Sequence, residues 1–579
     1  MNNHPRLIHC FFTLLLCLGT YVHAADVPPR AAIATAHPLA TRAGQEILEA
    51  GGNAFDAAVA VTAVLGVVEP YGSGLGGGGF WLLHRASDGM QVMVDGREKA
   101  PMAAHRDLYL DDKGEVIPGA SINGPLAAGI PGVPAAMAHI AKKYGRLPLA
   151  TSLAPAIRLA REGFAVDEQY RRYAKLRLQT LQRFPATAEI FLHKNAVPSL
   201  GYGLQQPDLA NTLQSIAADG GESFYRGDLA KRLVVGVQAG GGIWSLEDLR
   251  QYRIVERAPI RTEYRGMKLI SAAPPSSGGV ALASMLQMLG QFDVDGMPEA
   301  DRVHVMIEVM RRAYRDRAEY LGDSDFVEVP VVRLTSAAYA KQLVKGIRMD
   351  KATPSAALRP VGQPGGAGTD TTHFSILDAE GNRVAATMSI NYLFGSGFVV
   401  PGTGFLLNDE MDDFSAKPGV PNAYGLVGAE ANAIEPGKRP LSSMSPTFLD
   451  DDRGVAILGT PGGSRIITMV LLGALQYAAG ADAETIVVRP RFHHQYLPDV
   501  VMYEDGAFSA DTEQELSLRG HMLKKQLSPY GGGFGHYGNM QAVVWDRQKN
   551  RVDAASDKRG IGAASVFVQT KTAKEANGK

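Results

Sequence analysis

Apolar and polar residues follow two different rhythms along this 579-residue chain. Up to about residue 350 the spacing is mostly helical. Pro38–Glu49 repeats its apolar positions at helical spacing and stops at Gly51-Gly52, a common helix terminus. Residues 54–68 are apolar all round apart from Asp56, which predicts a buried core helix. A glycine-rich turn, Gly74 to Gly79, leads into the apolar stretch Phe80-Trp81-Leu82-Leu83. Stretches 149–163 and 301–321 pair an apolar stripe with Arg and Lys on the other face, and read as scaffold helices. After the glycine-rich stretch 362–370 the texture becomes strand-like, at 372–377, 384–391, 397–407, 454–459 and 540–546. The chain reads as a helix-rich first part, a glycine hinge and a strand-rich second part. It carries no fixed-period repeat and no low-complexity tract.

The stretch 371–391 predicts a hairpin. The turn Asp378 to Asn382 is a five-residue loop, which pairs 377 with 383, 376 with 384, 374 with 386 and 372 with 388. Phe374, Ile376, Val384, Ala386 and Met388 then share one apolar face. The other face sets Ser389 opposite Thr371, with Asn391 just past the strand end. A lone threonine at a strand start is most simply a strand former.

Formal charge is balanced, 58 basic against 59 acidic residues, so there is no electrostatic footprint for nucleic acid. The first 24 residues read as a signal peptide: one charge (Arg6), a short apolar run at 7–18, and a small-x-small site at Val22-His23-Ala24. That run is shorter than the roughly 20 residues needed to span a bilayer. Both cysteines, Cys10 and Cys17, lie within it, so the mature chain is expected to have no thiol, a net charge of −2 and a periplasmic or secreted location.

Several signatures argue against other chemistries. The turn at 74–79 matches G-x-G-x-x-G, but it follows a helix and opens a strand, the reverse of a dinucleotide site, and reads as close backbone packing. There is no G-x-S-x-G, H-E-x-x-H or phosphate-loop motif. Adjacent His493 and His494 point to opposite faces of a strand and do not suggest a shared metal. Asp409-Glu410-Met411-Asp412-Asp413 lacks calcium-loop spacing; taken alone it is a solvated acidic loop.

Taken together, longer motifs change this picture. Asp370-Thr371-Thr372-His373-Phe374-Ser375 resembles the processing site of the γ-glutamyltransferase (γ-glutamyl transpeptidase) family. Asn408 to Phe414, Lys438 to Thr447 and Thr460-Pro461-Gly462-Gly463-Ser464-Arg465 resemble its donor-site motifs, and Asp95 to Pro101 and the glycine turn match upstream. The resemblance runs from about residue 30 to about 560. It implies an α+β fold, the four-layer αββα sandwich of N-terminal-nucleophile hydrolases, made as one precursor. It places a self-cleavage between Asp370 and Thr371, giving a large chain 25–370 and a small chain 371–579 that stay associated.

The resemblance also assigns roles. Thr371 is the nucleophile, and cleavage frees its own α-amino group, with a reference pKa of about 7.7–8.0, to act as base. Ser389, where many relatives have Thr, hydrogen-bonds the nucleophile. Gly462 and Gly463 supply N–H groups to the oxyanion. Arg97, Ser442 and Ser443 take the substrate α-carboxylate, and Asn391, Glu410 and Asp413 the α-ammonium. Tyr424 belongs to a lid spanning 418–434. The implied donors are glutathione and other γ-glutamyl compounds, and the acceptors water, amino acids or dipeptides. No metal or organic cofactor is implied. Two rivals remain: a cephalosporin-acylase-like enzyme acting on glutaryl amides, and an uncleaved binding homologue, which Thr371 and Asp413 argue against. The glycine-rich segment Tyr530 to Gly538 has no functional account.

Overall fold

The computed structural model describes residues 27–358, 371–417, 419–422, 425–526 and 537–569. The expected signal peptide, the loop 362–370, Tyr424 and the glycine run 531–535 lie outside the described residues.

Thirteen strands, in chain order, build two antiparallel sheets among the described residues. They are β1 (Ala31–Thr35), β2 (Gly78–Arg85), β3 (Met90–Asp95), β4 (Val255–Arg257), β5 (Ile260–Tyr264), β6 (Met267–Ser271), β7 (Thr372–Leu377), β8 (Arg383–Ser389), β9 (Thr447–Asp450), β10 (Gly454–Gly459), β11 (Gln541–Asp546), β12 (Arg551–Ser556) and β13 (Ala563–Phe567). The first sheet runs β13-β1-β7-β8-β2-β3-β4 and the second β12-β11-β10-β9-β6-β5. Both faces of the first sheet are buried. Ile33, Trp81, Phe374 and Ile376 pack under one helical layer, which includes α1 (Pro38–Glu49) and α2 (Ala54–Val68). Their neighbours Ala34, Phe80 and Leu377 turn to the second sheet. Alternation along each strand produces this two-sided burial. The far face of the second sheet is covered by α3 (Gly278–Leu289), α4 (Glu299–Tyr320) and α5 (Ile466–Ala478), whose apolar residues share that same core. The layering is αββα.

Helix α2 shows why a helix that is apolar all round tolerates one acid. The Asn53 side-chain Oδ1 accepts from the N–H groups of Phe55 and Asp56, while the Asp56 carboxylate accepts from the Asn53 N–H, a reciprocal cap. Asp56 also accepts from the N–H groups of Arg146 and Leu147.

The hairpin register is as the loop length predicts: Leu377 pairs with Arg383, Ile376 with Val384, Phe374 with Ala386 and Thr372 with Met388. Three expectations need correction. Residues 397–407 form an irregular loop with isolated bridges alone, Val399 to Leu406 and Leu407 to Gly76, because Gly397, Gly402 and Gly404 adopt φ of 70°, 74° and 80° and break any strand. Strand β8 ends at Ser389 rather than 391, since Asn391 turns into the left-handed region at φ 71°. The Arg-bearing face of α4 is not solvated: Arg311, Arg312 and Arg317 are all buried. Nor does the change of texture near 370 mark a boundary between layers, since both sheets mix strands from before and after it.

Candidate active site

Strand parity places the chemistry. On β7 and β8 the side chains of His373, Ser375, Thr387 and Ser389 face the second sheet, and the His373 imidazole bridges to Thr387 Oγ1 at 2.8 Å. One step beyond the Thr372–Met388 pair brings Thr371 level with Ser389. Both line a small cavity at the strand ends, between the sheets, together with Asn391, Glu410, Asp413, Ser442, Ser443 and Gly463. Eight of the eleven residues expected at the site therefore meet in one cavity. Arg97 stands behind it, Gly462 lines a second cavity on the other side of Thr371, and Tyr424 lies outside the described residues.

Each wall is built locally. Past β8, the Asn391 N–H donates to Ser389 Oγ at 2.8 Å, and Asn391 Nδ2 donates to the Asp409 carbonyl at 2.9 Å. The second bond orients the amide so that Oδ1 is its acceptor end. Asn408 pins the acidic segment with four bonds: Nδ2 donates to the carbonyls of Gly76 (2.6 Å) and Gly129 (2.8 Å), and Oδ1 accepts from the N–H groups of Gly129 and Glu410. Glycine is needed in the turn 74–79 because a Cβ on Gly76 or Gly77 would run into the backbone of Leu406 or Ser389. The close-packing reading of that turn holds.

The acidic motif is buried, not solvated. Asp409 accepts from the Tyr392 N–H and Asp412 from Ser121, while Glu410 and Asp413 converge on Arg97. The Arg97 guanidinium, fully buried, donates to Glu410 Oε1, to Asp413 Oδ2 at 2.6 Å and to the Pro440 carbonyl at 3.2 Å. Glu98 Oε2 stands 3.5 Å from the same guanidinium. One cation cannot neutralise three buried carboxyls. Burial opposes the Arg97 charge, but Glu410 and Asp413 outweigh it and hold its pKa above the ordinary value. Burial pushes Glu410 up to about 7 against the pull of Arg97, and raises Asp413 as well. Glu98 is raised too, by burial and by neighbouring Glu410. At the cavity wall two carboxyls, Glu410 and Asp413, thus share the one Arg97 guanidinium.

On the segment 440–446, Ser442 Oγ accepts from the Met444 N–H at 3.1 Å, and Ser443 Oγ accepts from Arg317 Nη2 at 3.2 Å. Gly462 and Gly463 have φ of 141° and 56°, a conformation that suits glycine. Among the described residues their N–H groups meet no acceptor, as an oxyanion site requires. The His pair supports from behind through separate partners. His493 meets Thr468 (2.8 Å) and Gln495 (2.9 Å), and Gln495 accepts from Ser464; His494 meets Asp499 at 3.1 Å.

Sequence reasoning gave no role to Glu98, Arg317, Ser277 or Glu69. Glu69 accepts from the Thr372 hydroxyl at 2.8 Å, one residue from Thr371. The run Pro274-Pro275-Ser276-Ser277-Gly278-Gly279, polar and turn-rich between β6 and α3, was the one available signal for this supporting shell.

An αββα sandwich with a threonine at the start of an interior strand, between the sheets, defines an N-terminal-nucleophile hydrolase. A family model described as gamma-glutamyltranspeptidase matches residues 40–567, and the chain belongs to that family. It is 44% identical over 517 residues to a glutathione hydrolase proenzyme of Pseudomonas sp. (strain A14), covering 88% of this chain and 90% of the relative. It is also 44% identical over 501 residues to the glutathione hydrolase proenzyme of Escherichia coli (strain K12), covering 85% of each. Among solved structures, a cephalosporin acylase from Bacillus halodurans superposes with a TM-score of 0.81 at 30% identity, over 93% of this chain and 96% of the other.

Proposed function

We propose that this chain is an exported γ-glutamyltransferase and glutathione hydrolase that cuts itself before Thr371. The observation that carries the reading is the shared cavity. Thr371 opens onto a wall with two carboxyls, Glu410 and Asp413, and onto the hydroxyls of Ser442 and Ser443. A γ-glutamyl head group has an α-ammonium for the first and an α-carboxylate for the second.

The Thr371 hydroxyl attacks the γ-carbonyl carbon while the freed α-amine takes its proton. The Gly462 and Gly463 N–H groups hold the oxyanion, and Ser389 orients the nucleophile. The leaving amine departs with that proton, and a γ-glutamyl ester remains on Thr371. Water releases glutamate; an amino acid or dipeptide amine gives a new γ-glutamyl amide. Export follows from the leader ending near Ala24; among the described residues no helix is long and apolar enough to cross a membrane. The likeness to a cephalosporin acylase supports a second reading, hydrolysis of glutaryl amides, which lack the ammonium.

Mass spectrometry of the purified protein, before and after a γ-glutamyl anilide, tests the proposal. Two chains are expected, the smaller beginning at Thr371 and gaining one γ-glutamyl group there. Thr371→Ala remains one unacylated chain. Cleavage of that variant at the same bond, or an adduct on another residue, overturns the reading.

A further inference from the structure

The structure pairs Arg97, the cation expected to meet the substrate carboxylate, with two carboxylates of its own, and does not place it on the cavity surface. A second buried guanidinium stands on the other side of Ser443. Arg317, near the C-terminal end of α4, is 5% exposed. Among the described residues it has no carboxylate within the 4.0 Å of an ion pair. It donates through Nε to Ser277 Oγ at 3.0 Å and through Nη2 to Ser443 Oγ at 3.2 Å. Ser277 in turn donates to the Ser442 carbonyl at 2.7 Å.

A serine hydroxyl has one proton. Because Ser443 Oγ accepts from a guanidinium that has no proton acceptor to offer, the Ser443 proton must go elsewhere. Ser442 is in the same position, since its Oγ accepts from the Met444 N–H. Among the described residues neither hydroxyl proton meets an acceptor, and both serines line the cavity that holds Thr371. Each hydroxyl accepts one bond from a protein donor and keeps its proton for the cavity, so each is set to donate there. That arrangement favours an anion, and the Arg317 charge behind Ser443 disfavours an ammonium at the same place, so it bears on the orientation of a zwitterionic head group as well as its affinity.

We infer that Arg317 is a positioning residue for the substrate α-carboxylate, acting through Ser443 and, by way of Ser277, through the backbone of Ser442. The inference rests on the γ-glutamyl reading and adds to it a residue outside the donor motifs. Arg317 touches no reacting atom. It fixes the direction of a hydroxyl and supplies the positive charge behind it.

The test compares two anilides in the processed enzyme, γ-glutamyl and 4-aminobutyryl. The second has the same chain and ammonium but no α-carboxylate. Wild type prefers the first. In Arg317→Met that preference falls roughly 10- to 100-fold, the range for losing a charge-assisted hydrogen bond. The loss appears mainly in KM of the γ-glutamyl substrate, while the 4-aminobutyryl rate is nearly unchanged. Arg317→Lys restores part of it. Ser443→Ala produces the same collapse, and the double variant is no worse than either single one. A purely structural role for Arg317 lowers both anilides by one factor and leaves the preference intact, which overturns the inference. If Arg317→Met does not mature into two chains, Arg317→Lys and Ser443→Ala decide: an undiminished preference in both overturns it equally. A wild type that does not distinguish the two anilides refutes the γ-glutamyl reading instead.

Discussion

Asp413→Asn separates the two substrate readings. The substitution keeps the side-chain volume and leaves a carbonyl oxygen for Arg97 Nη2, now 2.6 Å from Asp413 Oδ2. What it removes is the charge of one of the two carboxyls that share Arg97. A hydrogen bond to a charged partner contributes about 1.5–3 kcal/mol and a neutral one about 0.5–1.5 kcal/mol. The ammonium of a γ-glutamyl substrate therefore loses about 1–2 kcal/mol, or roughly 5- to 30-fold in kcat/KM. A glutaryl substrate has no ammonium and loses none of this. The assay is the initial rate of matched γ-glutamyl and glutaryl anilides, in wild type and variant, at fixed pH and salt. Wild type strongly prefers γ-glutamyl, on the scale of roughly 10⁴-fold expected when a site built for a polar group meets an analogue lacking it. Asp413→Asn narrows that gap from the γ-glutamyl side alone. An equal loss on both substrates refutes the ammonium pocket, and comparable wild-type rates favour the acylase reading.

Two further outcomes follow from the same geometry. Glu410, raised by burial to about 7, is protonated below that pH and then cannot pair with an ammonium, so kcat/KM for a γ-glutamyl anilide falls as pH drops through about 7; Glu410→Gln removes this limb while leaving any step due to the Thr371 amine, and an unchanged profile refutes the assignment. Gly459, at the end of β10, lies against the fully buried His373 ring, which a Cβ would strike. Gly459→Ala is expected to cost about 1–3 kcal/mol of overpacking, seen as a lower melting midpoint. A Gly459→Ala protein as stable as wild type refutes the close contact between the sheets.

Legibility in the sequence followed the range of the interactions. Helices α1 and α2 were readable end to end because their stops are local: Pro38 at the first position, the Asn53–Asp56 cap and the Gly51-Gly52 terminus. The hairpin register was readable because loop length and residue parity determine it together. The strand expected at 397–407 was not there, since three glycines with positive φ outweigh the apolar texture. Strand β1 went unread because its partners β7 and β13 lie hundreds of residues away. Arg317 had the same difficulty: on a helical wheel it belongs to a polar face, and only the fold brings Ser277 and Ser443 over it. The donor-site residues, by contrast, sit in contiguous motifs and were readable as a group.

The topology also bears on how the proposed cut before Thr371 would activate the chain without dismantling it. In the first sheet β7 lies between β1 and β8, so the proposed N-terminus opens an interior strand that is paired with β8 from Thr372 and with β1 from Phe374. The segment from Thr371 onward contributes β7, β8 and β13, and β1 from the earlier segment is held between β7 and β13. In the second sheet β9 to β12 pair through β9 with β6. Separating the two proposed chains would therefore break both sheets at once. In the proposed mechanism the freed amine is on the same residue as the hydroxyl it serves, directly before a strand paired on both sides. Proximity of base and nucleophile is then a property of the fold, obtained without a second catalytic side chain, and its entropy cost is met during folding of the precursor.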